Sequence, residues 1–331
     1  MKRITALFTA ILFSAISISI TAETITTAIA KETADSFLAL DNEWHHKTDA
    51  NIRLVEKDGL PAYYVVEYTA GGWAIVSAHS SSSPIIGYNT TGEFAAPAPV
   101  SELLDFNAKL ITARAVEIGD IEHIGWKRVK QRRAVAETNN TPDIAPLITI
   151  NLNQTYPFNT YCPLINGENA LVGCVAVGMT QAMMVQGYPQ RPSGSYSYTC
   201  ENTGKHSINY DAQPAYDWNA INNCETTGNY DEVARLLYHA GVSVDMQYGL
   251  TSSGTQTDYV AEALIRNFGY DKKIVYTTAR HPDNTKWLEL IINELAHGRV
   301  VVYGGTGEEG GHCWNIDGWK QSTQMVHCNW G

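Results

Sequence analysis

The stretch "LVGCVAVGMTQAMM", residues 171–184, decides how the rest of the chain is read. Val175, Met179, Ala182 and Met183 recur at helical spacing and would pack one face of a helix inward. Cys174 stands where that helix begins, behind Gly173, which leaves room for a substrate backbone. A helix N-terminus offers unpaired N–H groups and the positive end of its dipole, so it favours negative charge. Only the thiolate attacks, and a free thiol with a pKa of about 8.5 is mostly protonated at neutral pH. Cys174 therefore has one of the two features that make a nucleophile; the other is a nearby histidine. A small buried core cysteine fits the same stretch equally well.

The best-placed histidine is His312, in "GGTGEEGGHCWNIDGW", residues 304–319. Glycines 304, 305, 307, 310 and 311 make an open approach, and a strand pattern follows. If "GWKQST" turns, strands 312–318 and 323–329 pair with His312 opposite Asn329 on the same face. In that register Asn329 accepts from the imidazole and holds its tautomer, and Trp330 shields the bond from water. Cys313 then faces Cys328 on the other side, as a cross-strand disulfide or as two packed thiols. A one-residue slip separates all of these pairs. "GTGEEG", residues 305–310, formally fits a dinucleotide fingerprint, but a strand rather than a helix follows it. Glu308 and Glu309 read as a solvated loop.

The 331 residues open with MKR, then the apolar run ITALFTAILFSAISISI and small residues around Ala22. This is the pattern of a secretory signal peptide over residues 1–22, and no later run is long enough to span a membrane. The net charge of −11 argues against nucleic acid as a partner. Charged residues make up only 17% while Tyr and Trp number 18 and 8, a composition that buries a core. None of the six cysteines sits in a C-x-x-C spacing, so a zinc ribbon is not supported. In an exported chain they read as three disulfides; if one is a catalytic thiol, at least one more is unpaired.

Residues 23–125 read as a small α+β unit. A helical stretch, "TADSFLALDNEW", precedes the strand-like runs "YYVVEY", "WAIVSA" and "PIIGY". "SELLDFNAKLITARAVEIG" follows as a helix with Ser101 as N-cap and Leu103, Leu104, Phe106, Leu110 and Ile111 at apolar spacing. "KRVKQRR", residues 127–133, and the polar stretch to Pro146 read as a protease-accessible linker or a solvated helix end. From about residue 145 the helix candidates are Cys174–Gln186, Asp231–Ala240, Thr257–Phe268 and Thr285–His297. Strands at 300–303, 313–319 and 324–330 come after them. Helices first and strands last is an α+β order rather than a wound parallel sheet.

"GCVAVGMTQAMMVQGYP", "GVSVDMQYG", "LIRNFGY", "GGHCWNIDGW" and "HCNWG", in this order, resemble the streptopain family of secreted cysteine peptidases, including its interpain-like members. "GGWAIVSAHSSSSPIIGYNTTGEF", residues 71–94, resembles that family's inhibitory propeptide. The resemblance implies a papain-like α+β peptidase domain over 145–331, preceded by a propeptide domain over 23–144 that acts as an intramolecular inhibitor. It further implies protein or peptide substrates, no cofactor, and secretion as a zymogen. Cys174 matches the nucleophile and His312 the general base and acid. Asn329 and Trp330 match the motif that orients and covers the histidine, and Gln154 in "LNQTYPFN" is the candidate second oxyanion donor beside the Cys174 N–H. The family motif continues as "NWGWGG" and further strands, whereas this sequence stops at Gly331, which implies a catalytic domain incomplete at its C-terminus. The alternative is a catalytically inactive secreted scaffold that acts as a binding or inhibitor protein.

Overall fold

A computed structural model describes residues 24–41, 44, 47–117, 122–123, 125–126, 129, 141–274, 276–277, 284–307 and 310–331. The signal segment 1–22, most of the basic run 127–133 with the polar stretch to 140, and Glu308/Glu309 lie outside the described residues. The chain forms two compact units. Glu43–Phe94 and Asn107–Arg132, with the chain up to Ala39, make the first. Arg133–Gly331 makes the second, together with Leu40–Asn42 and Ala95–Phe106.

The first unit is an antiparallel meander of β1 (Ala50–Lys57), β2 (Leu60–Tyr68), β3 (Trp73–Ser77) and β4 (Ile85–Asn89), in that spatial order. Ala62 to Val66 in β2 are all buried, as expected for an interior strand covered on both faces. Helix α1 (Thr27–Leu38) starts at Thr26, whose side chain accepts from the Ile29 N–H, and buries Ala30, Ala34, Phe37 and Leu38. Helix α2 (Ala98–Glu117) begins earlier than expected: the Ser101 N–H already bonds to the Pro97 carbonyl, so Ser101 lies in the first turn and is not the cap. Its buried stripe is Leu104, Ala108 and Ile111, spaced by four and three. Phe106 and Leu110 fall off that stripe and are exposed.

The second unit is organised around helix α3 (Cys174–Gln186), in which nine residues are buried. A helix apolar on every side belongs inside a core, and α3 is covered by α6 (Asp231–Ser243) and by the sheet. The hairpin β5 (Leu164–Ile165) and β6 (Glu168–Asn169) leads into it. After it come the β7 (Ser195–Cys200) and β8 (Gly204–Asn209) hairpin and short helices α4 (Trp218–Asn222) and α5 (Cys224–Thr227). Helices α7 (Tyr259–Phe268) and α8 (Asn284–Ala296) follow α6, and the sheet order is β11–β10–β9. The strands are β9 (Val301–Gly307), β10 (Gly310–Lys320) and β11 (Met325–Asn329).

The β10–β11 register departs from the expected one. Asn329 pairs with Asn315 and Cys328 with Ile316, so His312 is not opposite Asn329 and Cys313 is not opposite Cys328. β10 runs on to Lys320, so the turn occupies residues 321–324, the second half of "GWKQST" and Gln324, rather than the whole of that stretch. The extra length is held from its other side. Ile144 and Trp319 exchange both backbone bonds, at 2.8 and 2.9 Å, and the Leu147 N–H donates to the Asp317 carbonyl at 2.9 Å. A bulge falls between Ile316 and Gly318. The fully buried Asp317 carboxylate within it accepts from the Ile148 N–H at 3.1 Å and pairs with His327 Nδ1 at 2.6 Å. All six cysteines are free, so the three-disulfide reading does not hold. Cys162, Cys200, Cys224 and Cys313 are buried as small core side chains.

Gly173 is demanded by packing. Its φ is +90°, and a Cβ there would collide with the Met246 thioether and come within 3.2 Å of the Ser253 carbonyl. Gly173→Ala is expected to destabilise the fold by about 2–4 kcal/mol, combining backbone strain with overpacking. Urea unfolding checks this; a wild-type midpoint would contradict the packing assignment.

Candidate active site

The Gly173 turn makes α3 begin abruptly at Cys174. Glycine offers no capping side chain, and none is present. The start of α3 thus leaves the backbone N–H groups of Cys174 and Val175 without a capping side chain, and α3 packs against β10, where a Cβ on Gly178 would lie 3.2 Å from the Cys313 sulfur. Burial pushes the Cys174 thiol above its ordinary value; the backbone N–H groups of Cys313, Val175 and Cys174 oppose that, and the Glu102 carboxylate adds to it. Glu102 lies in the Ala95–Phe106 part of α2 that groups with the second unit.

His312 sits on β10 opposite Gly305. Its Nε2 lies 2.9 Å from the Trp330 carbonyl oxygen. A carbonyl only accepts, so this bond puts the hydrogen on Nε2 and leaves Nδ1 with the lone pair in the neutral ring. Burial pushes His312 below its ordinary value; the bond to Trp330 and the Glu102 charge oppose that. The imidazole lies parallel to Trp314, two residues along the same strand face, with centroids 6.3 Å apart. Trp314 in turn packs on Trp330 at 5.2 Å and Tyr303 at 5.1 Å. Trp330 thus meets His312 through its carbonyl, while its indole covers Trp314.

Asn329 does not reach the imidazole. Its Oδ1 accepts from Gln181 Nε2 at 2.9 Å and from the Gly331 N–H at 3.2 Å. Gln181 Oε1 accepts from Asn315 Nδ2 at 2.9 Å, which also donates to the Gly178 carbonyl at 3.0 Å. Gln154 is half-buried, and its backbone carbonyl accepts from the Val172 N–H at 3.0 Å, two residues before Cys174. The structure thus joins His312 to Trp330, packs the helix that begins at Cys174 against the strand of His312, bonds the Gln154 backbone two residues before Cys174, and bonds Asn329 to Gln181 rather than to the imidazole.

Gln181, Asn315 and Glu102 were not singled out from sequence. The first two had a signal: each is a strongly polar residue inside an apolar run, "VAVGMTQAMM" and "CWNI", where an unpaired amide is costly. Glu102 had none, because its proximity depends on how residues 95–106 fold back. Among the described residues, no cluster of His, Cys, Asp and Glu is arranged to hold a metal, and no helix is long and apolar enough to cross a membrane.

Residues 152–331 match the Peptidase C10 family, and residues 22–112 match the Spi protease inhibitor. Streptopain from Streptococcus pyogenes is 28% identical over 291 residues, covering 81% of this chain and 70% of the relative. The thiol protease/hemagglutinin PrtT of Porphyromonas gingivalis is 27% identical over 333 residues, covering 93% of this chain but 37% of that protein. Among solved structures, a prointerpain A fragment from Prevotella intermedia superposes with a TM-score of 0.67 at 24% identity, covering 86% of this chain and 88% of that one. Active interpain A gives a TM-score of 0.52 at 27% identity, covering 57% of this chain and 82% of that one. The family match takes in more than half of the residues, including Cys174, His312, Asn329 and Trp330. The chain belongs to the Peptidase C10 family: it is an α+β cysteine peptidase preceded by an Spi-type propeptide.

Proposed function

We propose that this chain is a secreted cysteine endopeptidase made as a zymogen, with 1–22 as signal peptide, 23–144 as propeptide and linker, and 145–331 as the catalytic domain. The observation that carries this reading is Cys174 at the uncapped N-terminus of α3, packed against β10, the strand on which His312 bonds to the Trp330 carbonyl. In the activated enzyme the Cys174 thiolate attacks the carbonyl carbon of a substrate peptide bond. The oxygen takes up the negative charge and is held by the Cys174 N–H and the Gln154 side chain. His312, protonated on both nitrogens, passes the Nδ1 proton to the leaving amine as the C–N bond breaks. Water then attacks the acyl-enzyme; His312 Nδ1 takes its proton, and the thiolate leaves. Trp330, through its carbonyl, keeps the other ring nitrogen protonated throughout. No metal or cofactor enters any of these steps.

The propeptide stretch Ala95–Phe106 supports the zymogen part of this reading, because Glu102 disfavours the thiolate. In the uncut chain, burial and Glu102 hold Cys174 up while burial holds His312 down, so the pair is neutral at pH 7. Alkylation of Cys174 by iodoacetamide, followed by peptide mapping, is expected to rise with pH through a midpoint above about 8.5. Glu102→Gln removes a raising influence and moves that midpoint down. A midpoint below pH 7 in the uncut wild type would contradict this electrostatic arrangement.

Cys174→Ala is expected to abolish protein hydrolysis, by at least about 10³-fold, and to leave the purified chain unprocessed. If the variant matures on its own at the wild-type rate, self-processing through Cys174 is wrong. If the processed wild type hydrolyses no protein substrate, the inactive-scaffold alternative replaces the peptidase.

A further inference from the structure

Resting on the peptidase reading above, we infer that Gln181 and Asn315 are positioning residues for the reaction. They form a buried amide relay that fixes the nucleophile helix against the histidine strand and sets the end of β11 so that the Trp330 carbonyl meets His312. The relay has a donor and an acceptor at every link. Asn315 Nδ2 on β10 donates to the Gly178 carbonyl at 3.0 Å and to Gln181 Oε1 at 2.9 Å, both on α3. Gln181 Nε2 then donates to Asn329 Oδ1 at 2.9 Å. Asn329 Oδ1 also takes the Gly331 N–H at 3.2 Å, which bends the backbone around Trp330, whose carbonyl accepts from His312. Three elements that carry the reacting groups are thus joined by side-chain bonds of fixed length.

Stability alone does not account for these residues. Gln181 is 1% exposed and Asn315 is fully buried. Asn315 Oδ1 has no hydrogen-bond partner, a penalty that an apolar side chain of similar size would avoid. The approach of α3 to β10 is also close: a Cβ on Gly178 would lie 3.2 Å from the Cys313 sulfur and 3.8 Å from Asn315 Nδ2. The contact lies one turn along the helix from Cys174 and one residue along the strand from His312. A small displacement of either element there changes the Cys174–His312 geometry directly, and errors of about 1 Å cost roughly 100-fold in rate.

The test uses the full chain, folded and then activated by limited proteolysis. Gln181→Met keeps the volume and loses both amide bonds. Its kcat on a peptide substrate is expected to fall about 10- to 100-fold with KM within about twofold, and the alkylation midpoint of Cys174 is expected to move up by about one pH unit. Gln181→Glu keeps the acceptor for Asn315 Nδ2 but loses the donor to Asn329 Oδ1, so it is expected to recover only part of kcat relative to Gln181→Met. Asn315→Ala, which breaks only the strand-side link, is expected to repeat the Met result. A merely structural role would lower the active fraction, counted by active-site titration, without moving kcat per site or the alkylation midpoint. That result, or failure of both Gln181→Met and Asn315→Ala to fold, overturns the relay. A wild-type chain with no turnover after activation overturns the peptidase reading instead, a different failure.

Discussion

The structure of the second unit depends on one constraint: α3 has no polar face to turn toward water. Val175, Ala176, Val177, Met179 and Met183 are almost wholly buried, and so are Thr180 and Gln181 elsewhere on its circumference. Such a helix is stable only when protein covers it all round, and here α6 covers one side and β10 with β9 another. Cys174, the first residue of the helix, is half-buried behind Gly173, and the far end reaches the surface at Gln186. On the proposed reading, packing sets where the chemistry lies: with its flanks covered, the helix offers its positive end, with N–H groups that no capping side chain takes, at the opening where Cys174 stands.

That opening is electrostatically balanced. Burial works against the thiolate, and the N–H groups of Cys313, Val175 and Cys174 work for it. Glu102 adds to the first side, within the sequence matched by the Spi protease inhibitor. In the proposed zymogen this carboxylate adds to burial in holding the Cys174 thiol protonated, and removal of the propeptide would take that influence away. His312 experiences the same charge with opposite consequence, since an anion favours imidazolium. Burial is the larger influence on both groups, and Glu102 adds a smaller one that acts on the two together.

Much of this was legible in the sequence, for identifiable reasons. Helix α3 was readable to the residue because Gly173 and Gly187 bracket an unbroken apolar run, and the second glycine takes the left-handed C-cap at φ 56°. The order of helices and strands gave the fold class. The β10–β11 register was not readable. It turns on Asp317, whose buried carboxylate draws in residue 148 from far back in the chain, and on Ile144, which lengthens β10 by pairing with Trp319. Contacts so distant in sequence leave no periodicity to read. The error mattered for chemistry, because it exchanged the acceptor for His312 from the Asn329 side chain to the Trp330 carbonyl. The paired state of the cysteines was equally illegible, since spacing says nothing of which sulfurs meet.

The measurement that bears most directly on all of this is labelling of the folded chain with an epoxide directed at cysteine-peptidase nucleophiles, located by intact mass and peptide mapping. It is run on the uncut chain and again after limited proteolysis near residue 140. The expected result is one label, on Cys174, that appears only after the cut. A folded chain that takes no label in either state, or takes it on another cysteine, would contradict the assignment of Cys174 as the nucleophile of a zymogen.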